Sequence, residues 1–180
     1  FVTTDNLPQI FDRGVAAADS WAQVPVRERA RILRRAADRL RQDRDALAAL
    51  VILEAGKTWR EADADVCEAI DFCEYYANQA VGLFGGELLG RFLGEQNLQT
   101  CRPAGLTAVI SPWNFPLAIC CGMSVAALVA GNPVLMKPAE QTSCVADRLS
   151  QILWECGVPD DVLQFVPGEG ESVGARLVSD

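Results

Sequence analysis

Through the first eighty positions apolar residues recur at intervals of three and four, and that spacing predicts a run of amphipathic helices. Ala30, Leu33, Ala37 and Leu40 make one stripe behind Pro25, which the pattern places in a first helical turn. Arg27, Arg31, Arg34, Arg35 and Arg41 fall largely outside that stripe and read as a solvated face. A second helix is predicted over about 43–55, stopped by Gly56 as a left-handed cap. A third, over about 60–84, aligns Ala62, Val66, Ile70, Cys73, Ala77, Ala80 and Phe84 before Gly85 and Gly86 end it.

The periodicity then changes. Two short extended pieces, 88–92 and 96–100, flank Gly94 and predict a β-hairpin that projects from the body over 87–102. Beyond Pro103, apolar strands at 106–110, 133–136 and 162–166 alternate with helices at about 117–130, 143–156 and 172–178. Buried strands alternating with helices predict βαβ units and a parallel sheet. The fold class is therefore α/β: N-terminal helices, then a Rossmann-like parallel half-sheet of the doubly wound type, with a projecting hairpin.

Charge and composition narrow the chemistry. The 180 residues carry a net charge of −8, which argues against nucleic acid and anionic membrane as partners. There is no histidine, so histidine-based triads, dyads and zinc sites are excluded, and no metal site is expected. The seven cysteines (Cys67, Cys73, Cys101, Cys120, Cys121, Cys144, Cys156) mostly lie in apolar stretches and fit a reducing cytoplasm. No charge occurs between Arg102 and Lys137, yet the helical part is bounded by Pro116 and Pro133. It is shorter than the roughly 20 residues a bilayer requires, which favours a buried core helix. The first residues show neither an initiator Met nor a signal peptide, and the chain is expected to start within a longer gene.

In open parallel sheets ligands bind beyond the carboxyl ends of the strands. The residues there are 111–116, 137–142 and 167–174. Read as ISPWNFP (110–116), GNPVLMKPAEQT (131–142) and GVPDDVLQFVPGEGESVG (157–174), they resemble, in order and spacing, the N-terminal part of the NAD(P)-dependent aldehyde dehydrogenases. The segments EAGKT (54–58) and EAIDFCEYYA (68–77) most resemble the glutamate-semialdehyde (1-pyrroline-5-carboxylate) dehydrogenases, including those fused to proline dehydrogenase.

The resemblance implies 1–86 and 103–180 as parts of a cofactor-binding domain and 87–102 as an arm through which subunits pair. It implies NAD, held by Ile110, Ser111, Pro112, Trp113, Lys137, Glu140, Gly168, Gly170 and Gly174, and a small aldehyde substrate. Glu140, an anion beside the ribose, disfavours a 2′-phosphate, so NAD is expected over NADP. Asn114 would stabilise the substrate oxyanion, and Glu68 would meet the substrate's amino end. From the residues alone, alternatives stay open. Lys137 and Glu140 also suit a surface ion pair, Trp113 a packing residue, Asn114 a helix cap, the glycines an ordinary turn, and Glu68 a solvated carboxylate.

The nucleophilic cysteine and general-base glutamate of the family lie downstream of the last matched segment. Cys120 and Cys121, in an apolar helix, are expected to be structural. These 180 residues alone are thus expected not to oxidise aldehydes, and their open sheet edge is expected to promote association. Other outcomes are another semialdehyde or betaine-aldehyde dehydrogenase, or a non-catalytic nucleotide-binding remnant.

Overall fold

Helices α1 (Leu7–Gln23), α2 (Val26–Gln42), α3 (Arg44–Ala55) and α4 (Trp59–Leu83) lead the chain in the computed structural model, which describes residues 2–179. Sequence periodicity did not single out α1, because two of its four buried positions, Gly14 and Ala17, are too small to make a strong stripe. Their smallness has a packing cause. A Cβ at Gly14 would lie 2.6 Å from Leu106 Cδ1 and 3.1 Å from Gln164 Nε2, so any larger residue would have to push these side chains aside. Pro25 sits at the N-cap of α2 instead of in its first turn, and its carbonyl accepts from the amides of Glu28 and Arg29. Gly56 ends α3 in the left-handed conformation (φ 68°). Thr58 and Glu61 close a reciprocal capping box at the start of α4.

Strands β1 (Glu87–Leu88) and β2 (Leu98–Gln99) pair antiparallel, a shorter hairpin than the alternation predicts. Then follow β3 (Thr107–Ile110), α5 (Ala118–Ala130), β4 (Val134–Lys137), a 3-10 turn (Glu140–Thr142), α6 (Ser143–Glu155), β5 (Leu163–Phe165), a π-turn (Gly170–Gly174) and α7 (Ala175–Ser179). The last predicted helix is therefore split, its first turn widened where the three glycines cluster. Strands β3, β4 and β5 form a parallel sheet in that order, with Ile110 opposite Lys137 and Met136 opposite Phe165. All four residues of central β4 are buried.

One apolar core joins the helical layer to the sheet: Leu33, Leu40, Val66 and Cys73 pack with Val125, Leu128, Met136 and Leu153. A smaller cluster of Leu7, Leu135, Val166 and Val173 fills the opposite face of the sheet. Among the described residues no helix is long and apolar enough to cross a membrane.

The five arginines read as a solvated face of α2 are all exposed, and three of them also make polar contacts with neighbouring elements. Arg35 donates to Cys156 O, Arg41 pairs with Asp38 and Glu74, and Arg34 bonds Asn78. Asp43 accepts from both Arg39 (3.0 Å) and Arg148 (2.7 Å), and both arginines also reach Glu155 (3.3 Å), tying α2 to α6. The hydrogen bond from Arg148 foremost, and that from Arg39, hold the Asp43 carboxyl below its ordinary 3.8. A depressed folded-state pKa adds stability above the unfolded value that is lost as pH falls through the folded one. Thermal melts of Asp43→Asn should therefore show a shallower loss of melting temperature than the unsubstituted chain below about pH 4. Parallel curves would remove this network from the acid response.

Candidate functional site

Parallel pairing brings the three turns after β3, β4 and β5 to one edge of the sheet. The Ser111 amide donates to Lys137 O (3.0 Å), tying the end of β3 to the end of β4, and the Val166 amide donates to Met136 O (2.8 Å). Ile110, Ser111 and Lys137 thus meet at that edge. Glu140 and Gly170 join them through side-chain bonds: Lys137 Nζ donates to Glu140 Oε1 (3.2 Å), and so does the Gly170 amide.

Lys137 is 3% exposed, which sets aside a surface ion pair. Glu140 is half-buried, and its carboxyl is held below the usual range by the bond from its own amide first, and by Lys137 and the Gly170 amide, while burial opposes them. It is an anion at neutral pH.

The glycines divide by what surrounds them. At Gly168 a Cβ would fall 2.6 Å from Val173 Cγ2, so packing inside the turn itself demands glycine. At Gly170 it would lie 3.4 Å from Glu140 Oε1, where the backbone approaches the carboxylate. At Gly174 it would meet nothing closer than Lys137 Cε at 3.7 Å, leaving room beside the ammonium. A cleft of about 360 Å³, lined by Val2, Thr3, Thr4, Glu169 and Ser172, opens next to this turn.

A dinucleotide suits this donor set. A carboxylate with one oxygen engaged, an ammonium with donors to spare and a side-chain-free backbone match the two hydroxyls of a ribose.

Trp113, Asn114 and Phe115 follow Ser111 and Pro112 on an exposed turn, Trp113 being 56% exposed and so not a core packing residue. Asn114 does not cap α5: the N-cap is Leu117, and the Ala118 amide donates to Asp65 Oδ1 (2.8 Å). Its carboxamide is left for another partner. Asp65 Oδ2 also accepts from Lys57 Nζ (3.1 Å), which lies 4.0 Å from the centre of the Phe115 ring. Glu68, one turn further along α4, is exposed and borders a groove with Asp71, Phe72 and Tyr75.

Lys57 and Asp65 escaped the sequence reading, although a signal existed. Asp65 lies three residues after Ala62 and four before Ala69, so a carboxylate occupies the buried stripe of α4.

Cys120 and Cys121 are fully buried. Burial pushes the Cys120 thiol up to about 11, against hydrogen bonding with Ser111 and Ser124. Contact with Cys73, 3.6 Å away, and burial raise Cys121 further. Neither offers a thiolate.

The Aldehyde dehydrogenase family matches residues 2–180. Over 174 residues the chain is 43% identical to 1-pyrroline-5-carboxylate dehydrogenase 2 of Bacillus subtilis, covering 97% of this chain and 34% of that protein. Among solved structures, proline utilization A (PutA) from Bdellovibrio bacteriovorus superposes with a TM-score of 0.97 at 44% identity, over 100% of this chain and 19% of that one. A 1-pyrroline-5-carboxylate dehydrogenase from Thermus with bound NAD gives 0.93 at 39%, over 99% and 35%.

Proposed function

The chain belongs to the aldehyde dehydrogenase family, and from that premise we propose that it forms the cofactor-binding wall and the oxyanion donor of an NAD-dependent dehydrogenase. The substrate is a small semialdehyde, L-glutamate 5-semialdehyde above others, oxidised to the carboxylic acid in the cytoplasm. The Lys137–Glu140–Gly170 constellation at the carboxyl ends of neighbouring strands carries this reading. The names of the relatives support the substrate.

NAD, when bound, supplies the hydride acceptor. Glu140 accepts from the ribose hydroxyls and Lys137 donates to one of them, while Ile110, Ser111, Pro112, Trp113, Gly168, Gly170 and Gly174 line the approach. Asn114 donates its side-chain N–H to the aldehyde oxygen as negative charge builds there. Glu68 receives the substrate ammonium. Cys120 and Cys121, buried and held protonated, do not supply the attacking thiolate.

Titrating the chain with NAD and NADP by tryptophan fluorescence tests the site. NAD should bind at least about tenfold tighter, since a 2′-phosphate would sit against the Glu140 carboxylate; equal affinities would overturn the assignment. In the complete enzyme, Asn114→Ala should lower kcat by about two to three decades.

Residues 87–102 are the arm through which subunits pair. Leu88, Leu89, Phe92, Leu93 and Leu98 are 46–107% exposed on it, a concentration of apolar side chains that favours burial against another subunit. Light scattering should find Phe92→Glu dissociating the assembly; an unchanged mass would move the interface elsewhere.

A further inference from the structure

Neither crossover helix of the sheet caps its own N-terminus: no side-chain cap bond forms at Leu117 of α5 or at Thr142 of α6. Both are capped from the helical layer instead. Asp65 of α4 accepts from the Ala118 amide at 2.8 Å. Glu54 of α3 accepts from the Cys144 amide with one oxygen (2.7 Å) and from the Val145 amide with the other (2.8 Å). An anion at a helix N-terminus is stabilising through both the free amides and the macrodipole.

The two caps stand just behind the two turns of the site. Asn114 precedes Ala118 by four residues, and Glu140 precedes Cys144 by four. Asp65 is itself held. Its side chain is fully buried, its second oxygen is bonded to Lys57, and the Lys57 ammonium lies on the ring of Phe115, the residue after Asn114. The Asn114 turn is thereby gripped from both sides.

We propose that Asp65 and Glu54 are positioning residues, one fixing the Asn114 turn and the other the Glu140 turn through the helix that follows each. Lys57 assists Asp65 by holding its carboxylate and pressing on Phe115. This rests on the functional reading of Asn114 and Glu140 given above.

Amide hydrogen exchange followed by NMR tests the caps without any ligand. Asp65→Ala should speed exchange at Ala118 by about tenfold or more beyond any change elsewhere in α4 and α5 and should shift the Asn114 side-chain resonances. Asp65→Asn, which keeps an acceptor oxygen, should restore most of the protection. Glu54→Ala should do the same at Cys144 and Val145 and should also weaken NAD binding about tenfold, while Glu54→Gln recovers part of both. A uniform loss of protection along both helices, with the site resonances unmoved, would make these carboxylates ordinary stabilisers and overturn the proposal. If the unsubstituted chain fails to bind NAD, the functional reading fails, and the exchange data still score the caps.

Discussion

Replacing Arg29 with Met should lower the melting temperature by about 10 °C, an expectation that follows from where its guanidinium ends. Arg29 is 3% exposed, and among the described residues no carboxylate pairs with it. It donates from Nε to Val129 O (2.9 Å) at the end of α5, and from NH1 to Trp21 O (3.4 Å), Ala22 O (3.3 Å) and Val24 O at the end of α1. The Phe84 ring lies 5.8 Å away. One planar cation therefore bonds the Ala22, Val24 and Val129 carbonyls at two helix C-termini and shares Trp21 O with the Val24 amide, at positions where the dipole also favours positive charge.

Burial lowers its pKa, and it remains charged. Met would fill the volume and leave the Ala22, Val24 and Val129 carbonyls without this donor, at about 1–3 kcal/mol for each that water cannot reach. Recovering the desolvation of the guanidinium offsets part of that, and a net loss of about 3–5 kcal/mol remains. Lys should rescue less than half, since a single ammonium cannot fork between two helix ends. Exposed Arg27→Met should stay within about 0.5 kcal/mol. Denaturant melts decide the matter: an Arg29→Met chain within about 1 kcal/mol of the unsubstituted one would show that water replaces the clamp.

The same residue illustrates what a sequence exposes and what it hides. The strands, the helices between them and the three turns after them were all legible, because a parallel sheet buries its strands on both faces and must return through helices. The turn residues stood out as polar or kinked pieces against apolar surroundings. Arg29, by contrast, was not singled out on α2, and its partner Val129, 100 positions away, leaves no local trace. The capping role of Asp65 was hidden for a related reason, since its partner Ala118 lies 53 positions away, even though a carboxylate in the buried stripe of α4 was there to be read. The helix α1 went unmarked because half of its buried face is made of small residues, and the surface ion pair that spacing also allowed for Lys137 is set aside only by the burial of the whole of β4.

Lys137→Met should separate affinity from stability. A structural ammonium and a ligand-binding one differ in what their removal does to the empty protein. The Lys137 side chain is 4% exposed and pairs at 3.2 Å with a Glu140 side chain that is 34% exposed. Without the ammonium, Glu140 retains the bond from the Gly170 amide and its contact with water, so no carboxylate is stranded. The buried charge disappears and an apolar chain of similar shape takes its place, an exchange that is commonly neutral or stabilising. Melting temperature should hold or rise by a few degrees. NAD loses a charge-assisted donor of about 1.5–3 kcal/mol, so its dissociation constant should rise about 10–100-fold. Both quantities come from one sample, by a fluorescence titration and a thermal melt. If stability and affinity fall together, Lys137 holds the end of β4 in place and the ribose loses its proposed donor. If affinity alone falls, the buried ammonium is kept at the sheet edge for a ligand, at a cost to the fold that only the bound coenzyme offsets.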